Sequence, residues 1–168
     1  MRILSFLSCV LAAVLLAILP HGQAHAGETA RSAAFFGVTF LNDSLTETSE
    51  EEIARVQALE ARLRDGMEDS GRYAFVDIAP VADEMARHAN MADCSGCDAR
   101  LARKLGADLA VTGVVQKTSN LILSVAVFIR DAETGQLVGG GSADMRGNSD
   151  ETWERAIGYV LRNRILKE

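Results

Sequence analysis

The stretch from Leu105 to Met145, LGADLAVTGVVQKTSNLILSVAVFIRDAETGQLVGGGSADM, constrains the fold more than any other part of the chain. Three runs rich in β-branched and aliphatic residues, Leu109 to Lys117, Leu121 to Arg130 and Gln136 to Met145, are separated only by Thr118-Ser119-Asn120 and Ala132-Glu133-Thr134-Gly135. Parallel neighbours need a crossover of roughly a dozen residues, so breaks this short admit only antiparallel hairpins. Gly135 suits the left-handed position of a bulged turn. The segment therefore predicts an antiparallel meander. In its central run Leu121, Leu123, Val125, Val127 and Ile129 alternate with Ile122, Ser124, Ala126, Phe128 and Arg130. One face is expected to pack on a core, and the other to be only half apolar.

Two motif-like pieces of this segment are read as backbone devices. Gly139-Gly140-Gly141 lies inside a strand and belongs to neither G-x-x-x-x-G-K-[ST] nor G-x-G-x-x-G, so it predicts a bulge or a close backbone approach, not a phosphate cradle. The piece beginning at Asp131 has Gly135 one place too early for a calcium loop. Ser142 stands where that loop needs a bidentate glutamate. It is a turn.

Upstream, Ser32 to Asp43 becomes apolar at Phe35, Phe36, Val38, Phe40 and Leu41 and reads as a first strand. Ser49 with Glu52 forms a capping box for a helix whose stripe is Ile53, Val56, Leu59, Leu63 and Met67, ending near Ser70-Gly71. Arg72 to Asp77 predicts a short second strand. Pro80 then opens a helix over Val81, Met85 and Ala89, and Asp98 caps a short helix with Leu101, Ala102 and Leu105 that stops at Gly106. After the meander, Ser149 or Asp150 caps a helix with Trp153, Ala156, Ile157, Val160, Leu161 and Ile165 inward and Arg155, Arg162 and Arg164 outward. The order β-α-β-α-α-β-β-β-α predicts an α/β two-layer sandwich. Its mixed five-stranded sheet has a parallel start and an antiparallel C-terminal meander, with helices mainly on one face.

The first residues set the compartment. Arg2, the uncharged run Ile3 to Leu19 and the ending Ala24-His25-Ala26 form a secretory signal peptide over 1–26, cleaved between Ala26 and Gly27. Residues 27–168 then form a single α/β domain, exported to the periplasm and without stable membrane insertion after cleavage. All 23 Asp and Glu but only sixteen of the Lys and Arg fall after residue 26, a formal charge of −7 that argues against nucleic acid as a partner. Glu50-Glu51-Glu52 is read as a favourable anion set at a helix start.

Two cysteines follow the signal segment, Cys94 and Cys97, in Asp93-Cys-Ser-Gly-Cys-Asp98. In an exported protein they are expected to be bonded to each other. A haem attachment site needs His where Asp98 stands, and a closed zinc site needs four ligands where only these thiols and His88 are at hand. No metal or cofactor is expected, and His88 is read as solvated. Acidic Asp93 and Asp98 oppose a reactive thiolate, so a structural staple is the main reading and a redox-active pair the other.

Several pieces together, Phe36-Gly-Val-Thr-Phe40, Phe75-Val-Asp77, the cysteine pair, Leu105 to Val114, Asp131-Ala-Glu-Thr-Gly135 and the C-terminal helix, resemble the small exported bacterial proteins of unknown function named DUF2380 or DUF3280. More distantly they resemble the N-terminal domain of TolB and the periplasmic domain of CsgG. The resemblance covers nearly all of residues 27–168. It implies a periplasmic α/β domain used for protein contacts in the envelope, with no family catalytic motif. The chain has neither TolB's propeller repeats nor CsgG's membrane-inserting strands. The expected function is a non-catalytic periplasmic protein-binding or envelope-assembly module whose partner is an envelope protein or a second copy. The alternative is a thiol-disulfide oxidoreductase, or an accessory of a periplasmic redox system, using Cys94 and Cys97. The expected partner surface is the half-apolar sheet face, or the outer edge strand around Gly140 to Arg146, with Ile122, Phe128, Arg130, Asp144 and Arg146 as its residues. N-terminal sequencing of the exported protein is expected to begin at Gly27; an intact Met1 would remove the compartment argument.

Overall fold

The computed structural model describes residues 29–167. The signal segment and the junction at Ala26 and Gly27 lie outside the described residues. The chain runs β1 (Arg31–Asn42), α1 (Glu50–Asp69), β2 (Tyr73–Phe75), a 3-10 turn (Ala79–Val81), α2 (Ala82–Met85), a second 3-10 turn (Met91–Asp93) and α3 (Cys97–Lys104). Then come β3 (Leu109–Ser119), β4 (Ile122–Asp131), β5 (Leu137–Met145) and α4 (Asp150–Val160), which continues into a π turn over Leu161–Ile165.

The five strands form one mixed sheet in the order β2-β1-β3-β4-β5. β1 runs parallel to both β2 and β3, while β3, β4 and β5 form the antiparallel meander. This is the predicted α/β architecture with its parallel start. The two long helices, α1 and α4, share one sheet face. There Phe35, Val111, Val115, Leu123, Val125, Val127 and Ile129 meet Leu59, Leu63 and Met67 of α1 and the inward side of α4. Every residue predicted inward on the last helix, from Trp153 to Ile165, is buried. Ser149 caps α4 and Ser49 caps α1, the latter through the Glu52 capping box.

Several local expectations change. Leu121 sits in the β3–β4 turn and is 73% exposed, so the inward row begins at Leu123. Pro80 opens a 3-10 turn followed by a four-residue helix that stops at Met85, short of Ala89. The second strand keeps only three residues. Ile53 is half exposed, and the buried slot at the top of the α1 stripe belongs to Glu52. Counting back four from Val56 lands on Glu52 and three on Ile53; both lie near the stripe, and a charge partner decides which is buried.

That partner is Lys117. Its Nζ lies 2.6 Å from Glu52 Oε1, and both side chains are almost fully buried, at 2% and 3% exposed. Lys117 also donates to Thr46 Oγ1, while Glu52 accepts from the Ser49 N–H and from Asn148 Nδ2. Asn148 in turn accepts from Trp153 Nε1 at 2.9 Å. The network joins the end of β3, the start of α1 and the loop leading into α4.

At β5 the glycines act as backbone devices. One extra residue enters the ladder at Val138, since Arg130 pairs with Leu137 and Ile129 with Gly139. Gly140 has φ +114°, and a Cβ there would collide with the Val127 carbonyl oxygen. A Cβ on Gly141 would fall 2.5 Å from Arg164 Cγ, so α4's tail packs directly on the strand backbone.

Burial opposes ionisation of Glu52, but the bonds from Lys117, Ser49 and Asn148 outweigh it and hold the carboxyl below its ordinary 4.5. A folded value below the unfolded one contributes stability that is complete above the unfolded pKa and is lost as pH falls through the folded value. Lys117→Met is expected to destabilise the domain by about 3–5 kcal/mol at neutral pH by leaving Glu52 buried and unpaired. Urea denaturation at pH 7 and through the acid range checks this, and Glu52→Gln is expected to flatten the acid loss.

Candidate interaction surface

The second face of the sheet is divided. Its half nearest the start of β3 is covered by α3 and the loops before it. The floor is Ala34, Phe36 and Ala110, whose small or flat side chains let α3 lie close; Val81, Met91, Leu101 and Ala102 close over it. Cys94 and Cys97 are disulfide-bonded. Cys97 is the first residue of α3 and fully buried in this cluster, while Cys94 is only partly buried against its edge. Gly96, with φ +81°, precedes the helix and carries no side-chain cap. Asp98 is thus not the expected cap. It is 2% exposed, and its Oδ2 lies 3.1 Å from Arg130 Nε, as an ion pair without hydrogen-bond alignment. Arg130 therefore clamps α3 to β4.

Among the described residues no helix lies over the remaining half of this face. Register places Thr39 and Leu41 of β1 beside Val114 and Gln116 of β3. Ala126 and Ser124 of β4 come next, then Ser142 and Asp144 of β5. Phe128, between Thr112 and Gly140, is half-buried, and Ile122 at the strand's start is 61% exposed.

The five residues expected to form a partner surface fall into two groups. Ile122, Asp144 and Arg146 come together around a hollow of about 370 Å³ at the β3–β4 turn, which Leu121 also lines. Phe128 and Arg130 lie at the other end of β4, where Arg130 is engaged by Asp98. His88 is half-buried beyond α2. Among the described residues no group of three or more His, Cys, Asp or Glu is placed to hold a metal, and no helix is long and apolar enough to cross a membrane.

A larger groove, about 540 Å³, runs between β5 and α4. Ser142 to Arg146 form one wall; Thr152, Arg155, Ala156 and Tyr159 form the other, with Arg164 at its end. The sequence reading missed the part played by Tyr159. The only signal in the sequence was Gly141 itself, since a strand glycine marks close approach; which residues of the last helix meet it is set by the tertiary packing.

The profile of DUF3280, described as "Protein of unknown function (DUF2380)", matches residues 31–165. No curated protein matches the chain in sequence. Among solved structures, the LpoB C-terminal domain from Salmonella enterica superposes with a TM-score of 0.51 at 13% identity, over 74% of this chain and 88% of that one. Lipoprotein GNA1162 from Neisseria meningitidis gives 0.49 at 20% identity, over 71% and 83%. The PelC dodecamer subunit from Paraburkholderia phytofirmans gives 0.45 at 18% identity, over 79% and 86%. At these identities the likeness to the LpoB domain is one of fold.

Because Cys97 is buried among apolar groups, its replacement is expected to depend on polarity more than on loss of the bond, which closes too short a loop to restrain much unfolded chain. Cys94→Ala/Cys97→Ala is expected to fold with modest destabilisation. Cys94→Ala/Cys97→Ser is expected to be less stable than that by about 1–3 kcal/mol, the cost of burying a hydroxyl without a partner. Equal urea midpoints for the two would count against the packing role.

Proposed function

Since the chain belongs to DUF3280, a family of unknown function that carries over no activity, we propose from its surface that it is a non-catalytic protein-binding module of the bacterial cell envelope. The observation that carries this reading is the half of the sheet's second face that none of the described elements covers. A sheet face must be solvated or covered, and here Ile122, Phe128, Ala126, Val114 and Leu41 lie on one surface with Ser124, Gln116 and Asp144. Apolar groups mixed with isolated charges suit contacts made and broken by a folded protein. The covered half beside it, locked by the Asp98–Arg130 pair and the cysteine bond, supplies a rigid border.

An envelope location is supported by the signal pattern of residues 1–26 and by a bonded cysteine pair, which an oxidising compartment sustains. The partner is an envelope protein or a second copy of the chain.

Phe128→Glu tests the reading. Phe128 is half-buried and contributes little to the main core, so the variant is expected to keep its circular dichroism spectrum and cooperative melt. Crosslinking in living cells should lose the partner or dimer seen with the unaltered chain. Retention of the same crosslinked species would refute this face as the contact, and unfolding of the variant would show Phe128 to be core.

A further inference from the structure

We propose that the groove between β5 and α4 binds an extended, acidic peptide segment of a partner protein, which adds to β5 as a sixth strand. This rests on the binding-module reading and names a second contact of that module with its own chemistry.

Three observations converge. Among the described residues β5 pairs only with β4, so its outer backbone edge is unpaired there over nine residues; the opposite edge strand, β2, has three. Edges of this length are ordinarily blunted by lysine, proline or a bulge. Here the bulge at Val138 guards only the first end, and Gly139 to Ala143 carries neither lysine nor proline. Such small side chains let another backbone approach closely.

The helix supplies the second element. An added strand points alternate side chains toward α4, and the groove there is about 540 Å³, with Ala143 on the strand wall and Ala156 and Tyr159 on the helix wall. Backbone pairing to an edge strand, with alternate side chains received by a flanking groove, is a general way of holding extended peptides.

Charge selects the occupant. Arg146, Arg155 and Arg164 border the groove against the single acid Asp144, on a chain whose net charge is −6. Arg164 lies over the Tyr159 ring, 5.7 Å from its centroid, which fixes one cation at the groove's end. Arg155 is paired with Glu151 one turn back, but both are exposed, so a carboxylate in the groove can replace or share that contact. A second copy meets this groove with a β5 edge of the same positive border. Self-pairing is therefore disfavoured, and a segment bearing Glu or Asp at alternate positions is favoured.

The test is an NMR titration of the exported full chain with an acetylated peptide alternating valine and glutamate, and separately with one alternating valine and lysine. The glutamate peptide is expected to shift amides in Gly139 to Arg146 and Thr152 to Arg164, and to slow hydrogen exchange along β5. The lysine peptide should not. Arg146→Gln and Arg155→Gln, both at exposed side chains, are each expected to weaken binding about two- to five-fold, in line with exposed ion pairs, with an unchanged melt. Shifts confined elsewhere, equal binding of both peptides, or no binding at millimolar peptide overturns the proposal. So does β5 protection that appears without peptide and grows with protein concentration, which would make the edge a self-association site. If the peptide fails while Phe128→Glu still abolishes the crosslinked partner, the module reading stands and only the groove assignment falls.

Discussion

The buried pair between Lys117 and Glu52 ties the two layers of this domain together. Taking both charges out of water is costly, and the cost is met only because each is held by further donors and acceptors: Thr46 on the lysine, Ser49 and Asn148 on the glutamate. The consequence is geometric. α1 cannot rotate its apolar stripe on the sheet without withdrawing Glu52 from Lys117, and Asn148 bonds both Glu52 and the Trp153 indole at the start of α4. One polar cluster thus sets the register of both long helices against β3. The surrounding contacts among Leu59, Leu63, Val125 and Ile157 are non-directional and supply the stabilisation.

The sequence showed most clearly those elements whose stabilising contacts are local or periodic. The meander is legible because short breaks exclude crossovers. α4 is legible because Trp153 to Ile165 repeats at helical spacing behind a Ser149 cap. What stayed hidden depends on residues distant along the chain. Nothing near Asp98 signals that Arg130 waits beneath it, so its position at a helix start suggested a cap. Lys117 reads as the polar end of a strand until Glu52 is placed over it. Leu121 follows the alternation of β4 perfectly, yet the turn takes it before the ladder begins. For the site, alternation correctly placed Ile122 and Phe128 on one face, but it could not tell how much of that face α3 would cover.

That partial cover is the feature on which the proposed contact rests. A short helix seated by Ala34, Ala110 and an ion pair occupies half of a face, and among the described residues no helix lies over the apolar groups of the other half. Extending α3 would have been a simple way to bury them; Gly106, with φ +73°, instead ends the helix after two turns and turns the chain into β3. Glycine acts in a comparable way at β5, where Gly141 lets Arg164 pack onto the strand, whose outer edge pairs with no other described strand. Both openings lie on the meander side, away from β2 and the start of β1. The start of β1 is packed on both faces, Ala33 and Phe35 on one side and Ala34 and Phe36 on the other, as parallel strands generally are, whereas its end at Thr39 and Leu41 shares the open half with the meander, whose antiparallel strands tolerate one wet face.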